Sequence, residues 1–172
     1  ELQMSKMKRF AAMTAALLIS ASTMGYLPQN SIIISNVTAN AAEEEITSVE
    51  INETNFPDEN FREYVKENFD KDDNGVLSAE EIAAVTKIDV YDMGISDLTG
   101  IEYFENLAIL ECMFNKLTTL DISKNTALIE LNCYHNQLTS LDVSDHTELI
   151  KLCFDTNNIT SIDLSNNTAL TR

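Results

Sequence analysis

The feature that most constrains how this chain can fold is an internal repeat of 21 residues in its second half. Apolar residues and asparagines recur together at this spacing: Leu107, Leu128, Leu149 and Leu170; Leu110, Leu131 and Leu152; Asn115, Asn136 and Asn157. A unit this short cannot bury its apolar face alone, so neighbouring units must stack on one another. The repeat therefore predicts a solenoid.

The repeat also has a recognisable pattern. Each unit begins with LxxLxC or an equivalent and continues with xxNxL, as in Leu107 to Leu117, which matches the leucine-rich-repeat consensus. We place the solenoid at residues 85–172, with repeats near 85–106, 107–127, 128–148 and 149–169 and truncation after residue 172. A shorter echo inside each unit leaves no room for a helix. We therefore expect two extended segments per turn and a flattened, nearly all-β coil, with buried asparagines satisfying backbone groups at the turns.

A second strong pattern precedes the repeats. After Pro57, Phe61, Val65 and Phe69 recur every four residues, which predicts an amphipathic helix whose first position is the proline. The helix leads into Asp70-Lys71-Asp72-Asp73-Asn74-Gly75-Val76-Leu77-Ser78-Ala79-Glu80-Glu81, which satisfies every position of the EF-hand pattern DxDxNGxxxxxE. A second helix is predicted to follow from Ala79, with Ser78 and Glu81 forming its capping box.

This loop predicts a calcium site. Calcium takes six to eight oxygen ligands at about 2.3 to 2.6 Å, and alternate positions of a tightly wound loop point inward. The predicted ligands are Asp70, Asp72, Asn74, the Val76 carbonyl, Ser78 and Glu81. Because the sequence offers no second loop to pair with, we expect weak binding, with a dissociation constant of roughly 10⁻⁴ to 10⁻³ M. The alternative is an acidic turn that binds no metal.

The position of the loop suggests a role for it. Terminal coils of a solenoid expose apolar edges and need a cover. We expect residues 42–84, which include a strand-like stretch at Val49 to Ile51, to cap the first coil. The predicted fold class is α+β: a small helical EF-hand cap followed by a leucine-rich-repeat β-solenoid with little helix.

Residues 1–41 have the features of a secretory signal peptide. A basic segment from Lys6 to Arg9 precedes an apolar run from Phe10 to Ile19, and Ala39-Asn40-Ala41 fits a cleavage site. The alternative is a retained membrane helix from Phe10 to about Leu27. We expect cleavage after Ala41, no membrane insertion thereafter, and a secreted or cell-surface protein.

The charge balance limits the partners. The chain has 11 basic and 28 acidic residues, a net charge of -17. Nucleic acids and anionic membrane surfaces would repel it at long range. We therefore expect no nucleic-acid partner.

Three further sets of residues in the repeats are read as structural. Cys112 and Cys133 share an inward position, where core packing is favoured over a disulfide, and Cys153 is one position out of step. Asp121, Asp142 and Asp163 form an outward ladder that is read as a solvated face rather than a second cation site. His135 and His146 are read as surface or turn residues.

A ligand surface is predicted on two neighbouring coils. Met113, Phe114, Tyr134 and His135 align there and are candidates for contact with a protein or glycan, the alternative being scattered exposed apolar residues. The sequence contains no constellation of nucleophile, base and orienting group. We therefore expect the protein not to be an enzyme.

The short repeats resemble a known group. Leu117-Thr118-Thr119-Leu120-Asp121-Ile122-Ser123 and Leu138-Thr139-Ser140-Leu141-Asp142-Val143-Ser144 are similar to segments of internalin-like, secreted leucine-rich-repeat proteins of Gram-positive bacteria. The resemblance covers about residues 49–172 and implies an extracellular interaction module, often within a longer chain. The leading hypothesis is a calcium-braced binding scaffold for a protein or carbohydrate. The alternatives are the N-terminal, non-catalytic part of a longer secreted hydrolase, and a structural surface protein without a specific ligand.

Overall fold

A computed structural model describes residues 48–171 of the chain. The predicted signal peptide at residues 1–41, and its alternative as a membrane helix, lie outside the described residues. Within residues 48–171, no helix is both long and apolar enough to cross a membrane.

The regular structure of these residues consists of short elements. In chain order they are β1 (Ser48–Glu50), α1 (Glu59–Phe69), β2 (Val76–Ser78), α2 (Ala79–Ala84), β3 (Lys87–Asp89), β4 (Ile109–Glu111), β5 (Glu130–Asn132) and β6 (Lys151–Cys153). A single turn of 3₁₀ helix at Ile101–Tyr103 lies between β3 and β4. The solenoid with little helix is thus confirmed.

The solenoid is built on one parallel sheet. Its strand order is β3-β4-β5-β6, and the register places Ile88, Leu110, Leu131 and Leu152 side by side. The strand spacing follows the sequence repeat, so each coil places its central leucine or isoleucine over that of the coil before. The first three of these side chains are buried and Leu152 is half-buried. Apolar burial of this ladder drives the stacking of the coils.

The other half of each coil differs from the expectation of a second extended segment. Among the described residues it forms no strand. In the coil of β4, the Ser123 N–H donates to the Asp121 carboxylate at 3.0 Å, and the Asn125 N–H donates to the Ile122 carbonyl at 2.8 Å. These N–H groups are used in local turns and do not reach the next coil, so no ladder forms there.

Residues 48–86, called the N-terminal cap below, form a helix–loop–helix preceded by a strand. β1 pairs antiparallel with β2 and places Val49 opposite Leu77. Helix α1 begins after Asp58, whose carboxylate accepts the Phe61 N–H at 3.1 Å. The expectation that Pro57 starts this helix is therefore wrong, because the N-terminal N–H groups are capped one residue later.

The cap is attached to the first coil by polar and apolar contacts. The second oxygen of Asp58 accepts the Ser96 N–H at 2.8 Å, and the Tyr64 hydroxyl accepts the Asp89 N–H at 3.0 Å. Burial raises the pKa of Asp58, but the hydrogen bonds from Ser96 and Phe61 outweigh it and hold the pKa below its usual range. Phe56 is fully buried and its ring lies against Gly100, which has φ of +103°.

Buried asparagines connect successive coils, as expected. The Asn115 Oδ1 accepts the Ile95 N–H of the preceding coil at 2.9 Å. Its Nδ2 donates to the carbonyl of Val90 at 2.7 Å and to that of Cys112, in its own coil, at 3.1 Å. Asn136 and Asn157 repeat this arrangement one and two coils further on.

A second buried ladder runs through the opposite turns. Asn125 and Asn167 each donate two hydrogen bonds to carbonyls of the preceding coil. His146 lies between them at the equivalent position and is only 2% exposed, so of the two alternatives for it the turn residue holds and the surface residue is wrong. Its Nε2 donates to the Ile122 carbonyl at 3.1 Å, and its Nδ1 is buried without a partner.

Gly100→Ala should disrupt the junction between the cap and the first coil. A Cβ there would lie 2.3 Å from the Phe56 ring and 2.6 Å from the Asn55 carbonyl oxygen. We expect the free energy of unfolding to fall by about 3 kcal/mol or more. Gly94→Ala is the matched control, since Gly94 also has positive φ but its Cβ would meet nothing closer than 3.7 Å. Gly94→Ala should lower the free energy of unfolding by only about 1 to 2 kcal/mol, measured by denaturant unfolding. Equal losses in the two variants would show that the contact between Phe56 and Gly100 is not what makes Gly100→Ala destabilising.

His146→Asn should stabilise the protein. Asparagine occupies this position in the coils on both sides and would donate to two carbonyls where His146 donates to one, while an unpartnered Oδ1, as in Asn125 and Asn167, would replace the unpartnered Nδ1. We expect a gain of about 1 kcal/mol in the free energy of unfolding, measured by urea denaturation. The reciprocal Asn125→His should lose a similar amount, because one carbonyl is left without its donor. A loss of stability in His146→Asn would show that imidazole packing outweighs the hydrogen bonds.

Candidate functional site

The first candidate site is the loop between α1 and α2. Asp70 ends α1, and Glu81 lies in the first turn of α2. Carboxylate oxygens of Asp70, Asp72 and Glu81 all lie within 4.8 Å of one another. The loop therefore gathers three acidic groups that are eleven residues apart at most.

Backbone N–H groups fix the start of this loop. The Asp70 carboxylate is buried and accepts the N–H groups of Asn74 at 3.1 Å and Gly75 at 2.9 Å. Gly75 has φ of +80°, a conformation in which glycine carries no steric penalty. Asp73 also has positive φ, and its carboxylate turns outward to within 3.8 Å of the Lys66 Nζ. Asp73 is thereby directed away from the other carboxylates.

Glu81 is held from both ends of the loop. Its Oε1 accepts the Lys71 N–H at 2.7 Å, and its Oε2 accepts the Ser78 N–H at 2.9 Å and the Ser78 hydroxyl at 2.8 Å. Because the Ser78 and Lys71 N–H groups stabilise the ionised form, the pKa of Glu81 lies below its usual range. The Ser78 hydroxyl in turn accepts the Glu81 N–H, which completes the capping box.

The carboxylate spacing fits one calcium ion. Two ligands on opposite sides of an ion at about 2.3 to 2.6 Å are separated by about 4.6 to 5.2 Å. Three of the six predicted ligands meet this condition through their carboxylates. Asn74 lies beside them, with its Nδ2 2.8 Å from an Asp72 oxygen, while Val76 and Ser78 form the ends of β2.

The second candidate site is a cluster of rings, the aromatic face, formed by the exposed Tyr91, Phe114 and His135 and the half-buried Tyr134. All four follow strands of the parallel sheet, in three successive coils. The Phe114 ring centroid lies 5.4 Å from that of Tyr91, 5.3 Å from that of Tyr134 and 4.8 Å from that of His135. Tyr91 is 54% exposed and Phe114 is 36% exposed.

The structure thus brings together three of the four predicted ligand-face residues as one ring cluster, with Met113 half-buried beside them. It adds Tyr91, which the sequence analysis missed. Tyr91 is offset from Met113 by 22 residues, one more than the repeat, and extending the alignment into the first coil would have identified it.

The backbone under the aromatic face is strained. The residues at this ladder position have positive φ in four successive coils: Asp92 at 52°, Phe114 at 58°, His135 at 54° and Thr156 at 55°. Aspartate and histidine tolerate this region moderately well, whereas it is an outlier for the bulky Phe114 and for the β-branched Thr156. The turn alone would be better served by glycine or asparagine.

Two of the three cysteines, Cys112 and Cys133, are core residues, as the sequence favoured. Cys112 and Cys133 are buried free thiols at equivalent positions of neighbouring coils, and Cys153 is a half-buried free thiol. Burial is the main reason, and the nearby Cys133 a smaller one, that the pKa of Cys112 lies well above its usual range. Burial also raises the pKa of Cys133 to about 12. Both thiols are therefore protonated and unreactive at neutral pH.

The outward aspartates each bond within their own turn. Asp121, Asp142 and Asp163 accept the N–H groups of Ser123, Ser144 and Ser165 at 2.9 to 3.0 Å, which lowers the pKa of each carboxyl. Two of them line a shallow cavity of about 90 Å³ together with His146. Their engagement with serines supports the interpretation as a solvated face.

Two relatives match part of the chain. Internalin J of Listeria monocytogenes serotype 4b (strain F2365) is 41% identical over 71 residues, which is 41% of this chain and 8% of the relative. Internalin J of serovar 1/2a (strain EGD-e) is 35% identical over 71 residues, again 8% of its length. The match therefore spans less than a tenth of either relative. No family model matches the chain.

Solved structures of internalins share the fold. The functional domain of internalin J from Listeria monocytogenes, described as including a cysteine ladder, superposes with a TM-score of 0.67 at 40% identity and covers 72% of this chain and 27% of that chain. The internalin inlF from strain 4b F2365 has a TM-score of 0.60 at 23% identity, covering 71% of this chain and 44% of its own. The chain therefore has the leucine-rich-repeat fold of the internalins, and the predicted resemblance is confirmed at this level.

Proposed function

We propose that this chain is an internalin-like, extracellular binding scaffold, braced by calcium at its cap, that contacts a protein or glycan ligand through the aromatic face. The observation that carries the proposal is the ring of Phe114, which is exposed to solvent at a strained backbone position. The turn itself favours glycine or asparagine, and the ring contacts of Phe114 are with other members of the same face, so we take a ligand as the explanation for the whole ring cluster.

The aromatic face has the composition of a binding surface. Exposed aromatic rings supply a large contact area at a small entropic cost, and they are enriched among the residues that dominate binding energy. The edge-on packing of Phe114 against Tyr91 and Tyr134 holds the rings in place before any ligand arrives. Such a preorganised cluster favours binding because less freedom is lost on association.

The calcium brace is supported by the three carboxylates of the loop. Without a cation, Asp70, Asp72 and Glu81 would place like charges within 4.8 Å of one another. A bound calcium would be held by these residues with Asn74, Ser78 and the Val76 carbonyl, and it would tie α1 to α2. Because α1 and α2 both belong to the cap, the ion would strengthen the cover of the first coil.

The proposed site of action is outside the cell. The signal-peptide features of residues 1–41 support secretion, and millimolar calcium in that setting matches the weak affinity expected for a single loop. The proposed role is non-catalytic, in keeping with the internalin fold.

Calcium should stabilise the parent protein and not Glu81→Gln. At calcium between one and ten times the dissociation constant, the free energy of unfolding should rise by about 0.4 to 1.4 kcal/mol, measured by urea denaturation with calcium or with EDTA. Glutamine removes the charge and the second strong ligand oxygen while retaining an acceptor for the capping box. We therefore compare the calcium-dependent increment in each variant rather than its absolute stability.

Asp73→Asn is the matched control for calcium. It neutralises an acidic residue of the same loop whose carboxylate faces Lys66 and not the other carboxylates. It should retain most of the calcium increment, since only long-range attraction is lost. An absence of calcium heat in titration calorimetry of the parent protein would refute the metal site.

Replacing rings of the aromatic face should abolish ligand capture without unfolding the protein. Phe114→Asn places a residue that tolerates positive φ at the strained position, and this relief offsets the lost ring contacts with Tyr91 and Tyr134, so its stability should lie within about 1 kcal/mol of the parent. Combined with Tyr134→Ser, it should weaken binding of captured extracellular partners by about 30-fold or more, corresponding to about 2 kcal/mol. Pull-down followed by a titration of each partner measures this loss.

Ile150→Asn is the control for the aromatic face. Ile150 is 42% exposed and immediately precedes β6, at the opposite end of the strands from the aromatic face. This variant should capture the same partners as the parent. If the double variant also captures them undiminished, the aromatic face is not the ligand surface and the structural-protein alternative is favoured.

A further inference from the structure

We propose that the aromatic face receives a cationic segment of a protein partner, in which arginine or lysine side chains stack on the rings and reach the neighbouring carboxylates. This inference rests on the proposed function of the same face and specifies the chemistry of its ligand. It is carried by the acidic groups around the rings, by an unpartnered carboxylate oxygen in the adjacent strand, and by the ring geometry.

Carboxylates border the rings along the ladder. Asp92 occupies the position of Phe114 in the preceding coil, and Asp155 occupies the position of Tyr134 in the following coil. Both side chains are exposed. A ligand that lies across the rings therefore meets an acidic residue at either end.

The basic residues of the adjoining strands are already engaged. Lys87 pairs with Asp89 at 3.0 Å, and Lys151 pairs with Glu130 at 2.7 Å. The other ion pairs among residues 48–171 lie in the cap. The carboxylates of Asp92, Asp155 and Glu111 therefore have no ion-pair partner among the described residues. The nearby exposed basic residue is Lys116, so negative charge exceeds positive charge around the rings.

Glu111 is the most specific of these acidic groups. It lies in β4, with Asp89 beside it in β3 and Asn132 in β5, on the outward side of the sheet and three residues before Phe114. Its Oε2 is buried from solvent and has no hydrogen-bond partner. Because Glu111 as a whole is half-buried and not enclosed, a small rotation of its carboxylate would let a charged N–H donor of a ligand satisfy this oxygen.

The rings suit the same ligand. The face of an aromatic ring attracts a cation within about 6 Å of its centre, and arginine both stacks on rings and donates two parallel hydrogen bonds to a carboxylate. Tyr91, Phe114 and Tyr134 form a continuous row at centroid spacings of 5.4 and 5.3 Å. A row of rings with carboxylates alongside can therefore accept successive basic side chains of one extended segment.

The overall charge selects against other ligands. With 28 acidic and 11 basic residues, the chain repels anionic glycans and attracts basic proteins over long range. A neutral glycan stacks on rings too, but its binding does not depend on salt. The salt dependence of binding therefore separates a cationic protein segment from a neutral carbohydrate.

The test uses a defined probe on the whole chain. Isothermal titration compares the peptide Gly-Arg-Leu-Arg-Gly-Arg-Leu-Arg-Gly with the same peptide carrying citrulline at each arginine, which keeps the shape and removes the charge. We expect at least 10-fold tighter binding of the arginine peptide in low salt, a marked loss of affinity in 0.5 M sodium chloride, and loss of binding in the Phe114→Asn/Tyr134→Ser variant.

Glu111→Gln locates the cation, and Glu148→Gln controls for overall charge. Both variants remove one negative charge, but Glu148 is an exposed residue outside the aromatic face. We expect a loss of about 5-fold or more in affinity for the arginine peptide in Glu111→Gln and less than 2-fold in Glu148→Gln. Equal losses in the two variants would mean non-specific attraction and would overturn the proposal.

The remaining outcomes separate this proposal from the proposed function. Equal binding of the arginine and citrulline peptides, or salt-independent binding of a neutral oligosaccharide instead, would overturn the cationic ligand. If partners captured by the parent protein are nevertheless lost in the ring variant, the binding scaffold itself stands. If capture is unaffected as well, both proposals fall.

Discussion

The solenoid depends on buried side-chain amides that join each coil to the one before it. Asn136, for example, accepts an N–H from Leu117 in the preceding coil and donates to carbonyls of both coils. These backbone groups are turned inward at a sharp bend, where neither water nor a strand can reach them. Each unsatisfied group would cost about 1 to 3 kcal/mol, so the position admits few residues. The leucines supply the driving force for stacking, and the amides set its register.

The first coil has no preceding coil, and the cap supplies the missing contacts. Met93 stands where later coils have asparagine, and Asp58 of the cap accepts the Ser96 N–H of that coil. Phe56 closes the apolar interior and approaches the backbone so closely at Gly100 that a Cβ has no room. The loop between α1 and α2 belongs to the same cap that covers the first coil. A cation held in this loop would therefore stiffen the N-terminal end of the solenoid.

Much of this arrangement can be predicted from the sequence, and the predictions that are wrong have physical causes. The repeat and the loop were predictable because each is a spacing that one backbone geometry demands, as for Gly75 or Asn115. Three other features of the structure could not be predicted in this way. The back half of each coil has alternating side chains, yet its N–H groups bond to Asp121 and its equivalents within the turn. Helix α1 begins after Asp58 because a side-chain cap outcompetes the preference of Pro57. His146 is buried because it occupies an asparagine position, which the spacing from Asn125 to Asn167 indicates only once that ladder is known.

Residues that specify the fold and residues offered to a ligand are separated within each coil. From the strand to the asparagine, Cys112 points inward, Glu111 and Met113 lie on the outward side, and Phe114 sits at the left-handed turn. Stability constrains the inward positions tightly, because they are buried and must stack. At the turn, stability favours a small or polar residue, and a phenylalanine reverses that preference. The ring of Phe114 is exposed at a backbone position that disfavours it, and the Glu111 carboxylate three residues earlier has an oxygen without a partner. Together these two features indicate the surface through which the scaffold binds a ligand.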